Sequence, residues 1–259
     1  MLGLGTSITS IDSGQVYKEL SELSLFSDLD VHFDFSTLSG NHGDEVGAAL
    51  NLGEAGSDGD IESNEGTPSL DTTTMSRNSV AFDGSDDVLA MAAEHTTTNK
   101  AFTIFLVFQK GDTTNDYLLT SSEGGNTDSV KTAGGGASIL LKCGNESQVA
   151  IACNNTDDST INYSFAADVP TVLLISRNTA GEVVIYADNN LKIAVKDNAA
   201  VKAGANFTLG AFGGTTSGSL ADLTGNICEV GMYDVELNAA RVATLLESLC
   251  TKWGVERRE

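Results

Sequence analysis

The side chains best able to do chemistry in this chain are carboxylates, and their spacing sets the first questions. Asp58, Asp60 and Glu62 alternate as the opening ligands of a calcium loop do, calcium taking about six to eight oxygen ligands from such segments. The pattern then fails, because the sixth position is Ser63 where the loop needs glycine and the twelfth is Ser69 where a bidentate glutamate belongs. Asp83, Asp86 and Asp87 crowd one tight turn and are either a second calcium candidate or solvated turn aspartates. Beyond that possible calcium, no cofactor is expected. His32, His42 and His95 have no metal-ligand spacing, and His32 reads as a sheet-face residue. There is no G-x-S-x-G nucleophile elbow and no Gly-Lys-Ser/Thr phosphate loop. The cysteines at 143, 153, 228 and 250 lack zinc spacing. With Gly144 to Ser147 as a turn, Cys143 faces Gln148 and Cys153 faces Ser138, so reduced, mostly buried thiols are expected.

The elements that must position these groups are mostly strands. Val31, Phe33 and Phe35 alternate with His32 and Asp34, the period of a half-buried strand. After Arg77, short apolar runs follow one another: 79–83, 88–91, 101–109, 117–121, 138–143, 148–153, 160–165, 172–177, 182–187, 191–196, 207–211 and 225–233. The continuous runs at 102–108 and 172–175 predict central strands buried on both faces. A helix is predicted over 15–29, with Asp12 and Gln15 as a capping box and Val16, Tyr17, Leu20 and Leu23 as its apolar stripe. A second follows Asn238 with the stripe Val242, Leu245, Leu246 and Leu249 and ends at Gly254, where Trp253 docks. A dozen antiparallel strands with one closing helix spell an all-β, two-sheet jelly-roll sandwich.

Charge excludes several partners. The chain has 36 acidic and 14 basic side chains in 259 residues, a formal net charge of −22. Neither a nucleic-acid backbone nor an anionic membrane surface suits such a field. No apolar run approaches the ~20 residues a membrane-spanning helix needs. Residues 1–76 hold 14 acidic residues against Lys18 alone. Within them, the acidic and Gly-rich stretch 39–76 reads as a long surface excursion of the domain or a flexible spacer, the former favoured because a strand precedes it and Pro68-Ser69-Leu70 re-enters an apolar register. No ordinary secretory signal opens the chain, so synthesis in a reducing cytoplasm is expected.

Several motifs taken together resemble the concanavalin A-like, laminin G-like jelly-roll family. They are Ser-Val-Ala-Phe-Asp-Gly-Ser-Asp-Asp-Val-Leu (79–89), Phe-Thr-Ile-Phe-Leu-Val-Phe (102–108) and Leu-Leu-Ile-Ser-Arg (173–177). Val-Ile-Tyr-Ala-Asp-Asn (184–189), Phe-Thr-Leu-Gly (207–210) and the closing Gly-Asn-Ile-Cys-Glu-Val-Gly-Met-Tyr-Asp (225–234) follow in the family's order. The resemblance covers about residues 30 to 255 and implies a binding or structural module, not an enzyme. Glycoside hydrolases of this fold carry E-x-D-x-x-E on one strand, and Glu229, Asp234 and Glu236 do not match it. Family members hold calcium near sheet rims, and many bind glycans through aromatic and Asn/Asp side chains of rim loops. Tyr117, Tyr163 and Tyr186 are the aromatic candidates here.

The segment ahead of the sandwich prompts a second resemblance. With its Met-Leu-Gly-Leu-Gly-Thr-Ser opening, the chain looks like virion structural proteins of tailed bacteriophages, especially those of marine cyanobacteria. Residues 1–28 would then be an attachment arm and 29–259 the jelly roll. The expected contact residues are Leu2, Leu4, Ile8, Ile11, Val16, Tyr17, Leu20 and Leu23, burying apolar area against capsid or tail proteins or a sister subunit. That reading makes the chain a non-enzymatic capsid decoration protein or other virion component and a homo-oligomer. The alternative is a glycan-binding adhesion module of a phage tail or fibre, meeting host-surface glycans, or a lectin-like bacterial surface protein.

Overall fold

A computed structural model describes residue 25 and residues 28–91, 101–112, 116–122, 137–144, 148–152, 158–162, 166–188, 190–196, 206–211 and 222–256. The expected helix over 15–29 lies almost wholly outside these residues. Its described end is not α-helical: Leu25 sits in a turn and Asp28 in a tighter helical turn.

Two antiparallel sheets face each other. The strands are β1 (Val31–Asp34), β2 (Ala48–Ala49), β3 (Ile61–Glu65), β4 (Ser69–Asp71), β5 (Ser79–Asp83), β6 (Val88–Met91), β7 (Phe102–Lys110) and β8 (Asp116–Ser122). They continue as β9 (Ala137–Gly144), β10 (Gln148–Ala152), β11 (Asp158–Asn162), β12 (Thr171–Arg177), β13 (Glu182–Ala187), β14 (Asn190–Lys196), β15 (Asn206–Leu209) and β16 (Thr224–Tyr233). A single described α-helix, α1 (Ala239–Trp253), closes the fold. One sheet runs β14-β13-β12-β7-β16-β5-β4, with β1 also paired to β16. The other runs β11-β10-β9-β8-β15-β6-β3-β2.

Val31, Phe33 and Phe35 enter the core between the sheets, as their alternation predicts, but β1 is buried on both faces and not half-buried, because His32 and Asp34 lie under α1. β7 is buried along its whole length because both its faces are covered. Phe102, Ile104, Leu106 and Phe108 point between the sheets, whereas Phe105 and Val107 belong to a second core under α1. That second core holds Leu25, Leu29, Val172 and Leu174 against Val242, Leu245, Leu246, Leu249 and Trp253, each large apolar side chain contributing about 1.5–3 kcal/mol on burial. Asn238 caps the helix by accepting from Arg241 N at 3.0 Å, and Gly254 ends it in the left-handed region at φ 66°.

Two sequence expectations need correction. The stretch 39–76 is no surface excursion, for it contributes β2, β3 and β4 to the two sheets and buries Val46, Ala49, Ile61 and Leu70. In the β9–β10 hairpin Gly144 pairs with Gln148, so Cys143 faces Val149 and not Gln148. Among the described residues, no helix is long and apolar enough to cross a membrane.

Candidate functional site

The strand order alternates between sheets, and this gathers loops at one end. β3 and β4, β5 and β6, and β7 and β8 each lie in opposite sheets, so their connections cross the same rim of the sandwich. The connections touch. A Cβ on Gly66, whose φ is +67°, would stand 2.4 Å from the Asp86 carbonyl oxygen and 2.6 Å from Asp87 Oδ1. Gly111 N donates to Thr224 O at 2.8 Å, tying the start of the β7–β8 connection to β16.

This rim collects the acidic residues. Asp83, Asp86 and Asp87 bring carboxylate oxygens within 4.8 Å of one another. Asp87 is buried and holds the rim together: Thr67 N donates to its Oδ1 at 2.7 Å and Asp83 N to its Oδ2 at 2.8 Å. Burial pushes its pKa up, the two amide bonds pull it down, and the like charges of Asp83 and Asp86 push it up again, leaving a net rise. Asp83 accepts from Ser85 N at 2.8 Å. Asp222 is pushed up to about 6, first by burial and then by the charges of Asp86, Glu65, Asp116 and Asp83. Lys110, itself buried, lies 3.3 Å from Asp116 and 3.9 Å from Asp112.

Beside this cluster opens a cleft of about 490 Å³. Its wall is built by the segment 43–46, strapped along β4 through Gly43 N to Leu70 O (2.8 Å), Leu70 N to Asp44 O (2.8 Å) and Val46 N to Pro68 O (2.7 Å). Glu45, Thr67, Ser69, Phe82, Asp83 and Asp87 line it together with Gly43 and Ala81. Glu45, Thr67 and Asp83 are exposed, Ser69 is half-buried, and Phe82 and Asp87 are buried. The cleft therefore offers carboxylate acceptors and hydroxyl groups of either polarity, and among the described residues no Lys or Arg lines it.

A second polar constellation sits under α1. A bulge at Cys228 shifts the β16–β7 register between Ile227 and Glu229, which turns Glu229 toward the helix instead of the inter-sheet core. There His32 Nε2 meets Glu229 Oε1 at 2.9 Å, while Lys252 Nζ and Trp253 Nε1 each lie 2.8 Å from Oε2. Lys252 also contacts Asp34 Oδ2 at 2.5 Å. Burial alone would raise the Glu229 pKa, but the His32 hydrogen bond and the Lys252 charge outweigh it and hold the carboxyl at about 2. His32, Asp34 and Glu229 are close enough to share a metal ion, yet the Lys252 ammonium already neutralises them. This network fastens β1, β16 and α1 together.

The sequence candidates distribute as follows. Leu2, Leu4, Ile8, Ile11, Val16, Tyr17, Leu20 and Leu23 lie outside the described residues, as do His95 and Tyr163. Asp58, Asp60 and Glu62 do not converge: Asp60 accepts from Asn51 N at 2.8 Å, and Glu62 is exposed on β3. His42 is exposed at the cleft margin, 3.4 Å from Asp71. Tyr117 and Tyr186 are half-buried, and Asp234 and Glu236 lie between β16 and α1. Cys228 and Cys250 are buried and in no disulfide, and burial pushes the Cys228 thiol far up, the state of an unreactive cysteine. The wall residues Glu45, Thr67 and Ser69 escaped the sequence reading. Their only signal is Gly66-Thr67-Pro68, a turn placed just before an apolar residue. Lys252 carried a clearer one: it falls in the apolar stripe of α1, where a lysine needs a buried partner.

No family model matches the sequence, and no curated protein is significantly similar to it. Solved structures are similar in fold. The receptor-binding domain of botulinum neurotoxin C/D mosaic serotype aligns with TM-score 0.61 and 10% identity, over 85% of this chain and 51% of that one. The native heptameric SAP-like pentraxin of Limulus polyphemus aligns with TM-score 0.52 and 11% identity, over 64% and 80%. The chain is a jelly-roll sandwich. The CBM40 of Ruminococcus gnavus IT-sialidase, bound to α2,3 sialyllactose, also shares this sandwich, with TM-score 0.50, 12% identity and coverage of 65% and 95%. The chain spans about half the length of the toxin domain that it matches.

Proposed function

We propose that this jelly roll is a non-catalytic carbohydrate-binding module and that the rim cleft receives the sugar. The cleft itself carries the reading. Its volume of about 490 Å³ falls within the range of small-molecule sites, roughly 300–1,000 Å³. Carboxylates such as Glu45 and Asp83 accept hydrogen bonds from vicinal hydroxyls, and Thr67 and Ser69 donate or accept as the sugar requires. The same rim is poorly arranged for acid–base catalysis. Both Asp87 oxygens are engaged by backbone amides, and Asp83 already accepts one. Sandwich neighbours that include a sialyllactose-bound module support the class of function. A glycan array tests it: binding that disappears in Thr67→Trp, which fills the cleft, supports the reading, and an array without hits refutes it.

One observation favours attachment to a larger assembly as a second role, compatible with a virion component. Leu50 and Leu52 are 71% and 40% exposed, and they flank Asn51, whose side-chain amide donates to Asp30 O at 3.3 Å. This apolar spot lies beside the segment Leu29 to His32, through Leu52 N to His32 O at 2.8 Å and Glu54 N to Leu29 O at 2.8 Å. Leu25 is buried in the second core and Asp28 pairs with Arg241 at 2.7 Å, so a truncation that spares the sandwich ends at residue 24. Loss of particle incorporation by that folded truncation supports the role, and normal incorporation refutes it.

A further inference from the structure

Resting on the carbohydrate reading, we infer that the cleft selects sugars without acidic groups, neutral or amino sugars, and rejects sialylated and uronic-acid glycans. The wall presents Glu45, Asp83 and Asp87, and among the described residues no cationic side chain faces them from it. Asp86 stands within 4.8 Å of Asp83 and Asp87, and Asp222, whose proton affinity burial raises first, also feels the charges of Asp86, Glu65, Asp116 and Asp83. Among the described residues, Lys110 is engaged by Asp116 and the His42 ring lies 3.4 Å from Asp71. A ligand carboxylate entering this cleft meets several negative charges and, among the described lining residues, no counter-charge. A hydroxyl group, by contrast, donates to the same oxygens, and an ammonium gains from every one of them.

This departs from the sialyllactose-bound neighbour, because a shared sandwich does not fix the charge of its loops. Glu45, Asp83 and Asp86, which supply much of this field, are exposed, so it weakens as salt is added.

The test uses matched glycan pairs, identical except for a terminal sialic acid, titrated calorimetrically against the full chain in low and high salt, with and without calcium. The expected result is binding of the unsialylated member at least about tenfold tighter at low salt, with a gap that narrows in E45Q/D83N and in high salt. Equal or tighter binding of the sialylated member, with or without calcium, overturns the selectivity and leaves the carbohydrate reading standing. A gap unchanged in E45Q/D83N also overturns it, since the cleft's charge would not be its cause. Absence of binding by both members, or binding unaffected by Thr67→Trp, overturns the carbohydrate reading itself.

Discussion

Replacing Lys252 with methionine keeps most of the side chain's apolar stem and removes its charge. In the native fold that ammonium is 1% exposed and lies 2.8 Å from Glu229 Oε2 and 2.5 Å from Asp34 Oδ2, carboxylates 0% and 7% exposed. Lys252→Met therefore leaves two buried carboxylates facing each other without their shared cation, Glu229 still bonded to His32 and the Trp253 N–H and Asp34 to the Ser36 N–H and hydroxyl. Breaking a buried pair from one side costs about 3–5 kcal/mol. Adding Glu229→Gln to Lys252→Met should recover at least ~1 kcal/mol relative to the sum of the single changes, since the two groups touch. The pH dependence follows from Glu229. Its pKa is lowered from 4.5 to about 2, so its contribution is complete above pH 4.5 and is lost as pH falls through 2. Glu229→Gln should flatten that part of the profile. Urea unfolding is the assay, and Trp253, the only tryptophan, reports from inside the network. A loss below ~1 kcal/mol in Lys252→Met, or equal acid slopes for the native chain and Glu229→Gln, would refute the account of how α1 is held.

Three further outcomes are expected. Gly66→Ala forces a left-handed alanine into the Asp86 carbonyl and should cost about 2 kcal/mol or more in thermal unfolding, with loss of any ligand affinity as the rim shifts. Asp222→Asn should stabilise the chain at pH 7 by about 1 kcal/mol after allowance for solvent screening. The raised Asp222 pKa means that the penalty is fully present above pH 6 and absent below 3.8, so the gain should fade over that window in a stability–pH profile. Asn238→Ala removes the helix cap and should lower stability by about 1 kcal/mol in denaturant titrations.

The parts of the fold legible in the sequence are those where one strong pattern decides the local structure. Val31, Phe33 and Phe35 alternate cleanly, the apolar runs of β7 and β12 announce strands covered on both faces, and Asn238 and Gly254 bracket α1. β2 to β4 were not legible because each buries few apolar side chains, such as Ala49, Ile61 and Leu70, among acidic and glycine neighbours. Their pairing is set by backbone partners, β4 with β5, β3 with β6 and β2 with β3. The bulge at Cys228 was equally hidden: simple alternation places Glu229 opposite Cys228, and only the lost step against β7 puts both under α1. At the rim, the Asp83–Asp87 turn could be read as a cluster, but not the cleft. Its wall depends on segment 43–46 lying along β4, a contact set by backbone hydrogen bonds with no side-chain signature.

The central claim is that a sugar enters the rim cleft, and amide NMR mapping with an array-selected neutral glycan tests it most directly. The account predicts that shift changes centre on Gly43, Glu45, Thr67, Ser69, Ala81 and Asp83. Shift changes confined to another face of the sandwich, with these amides unmoved at saturation, would contradict it.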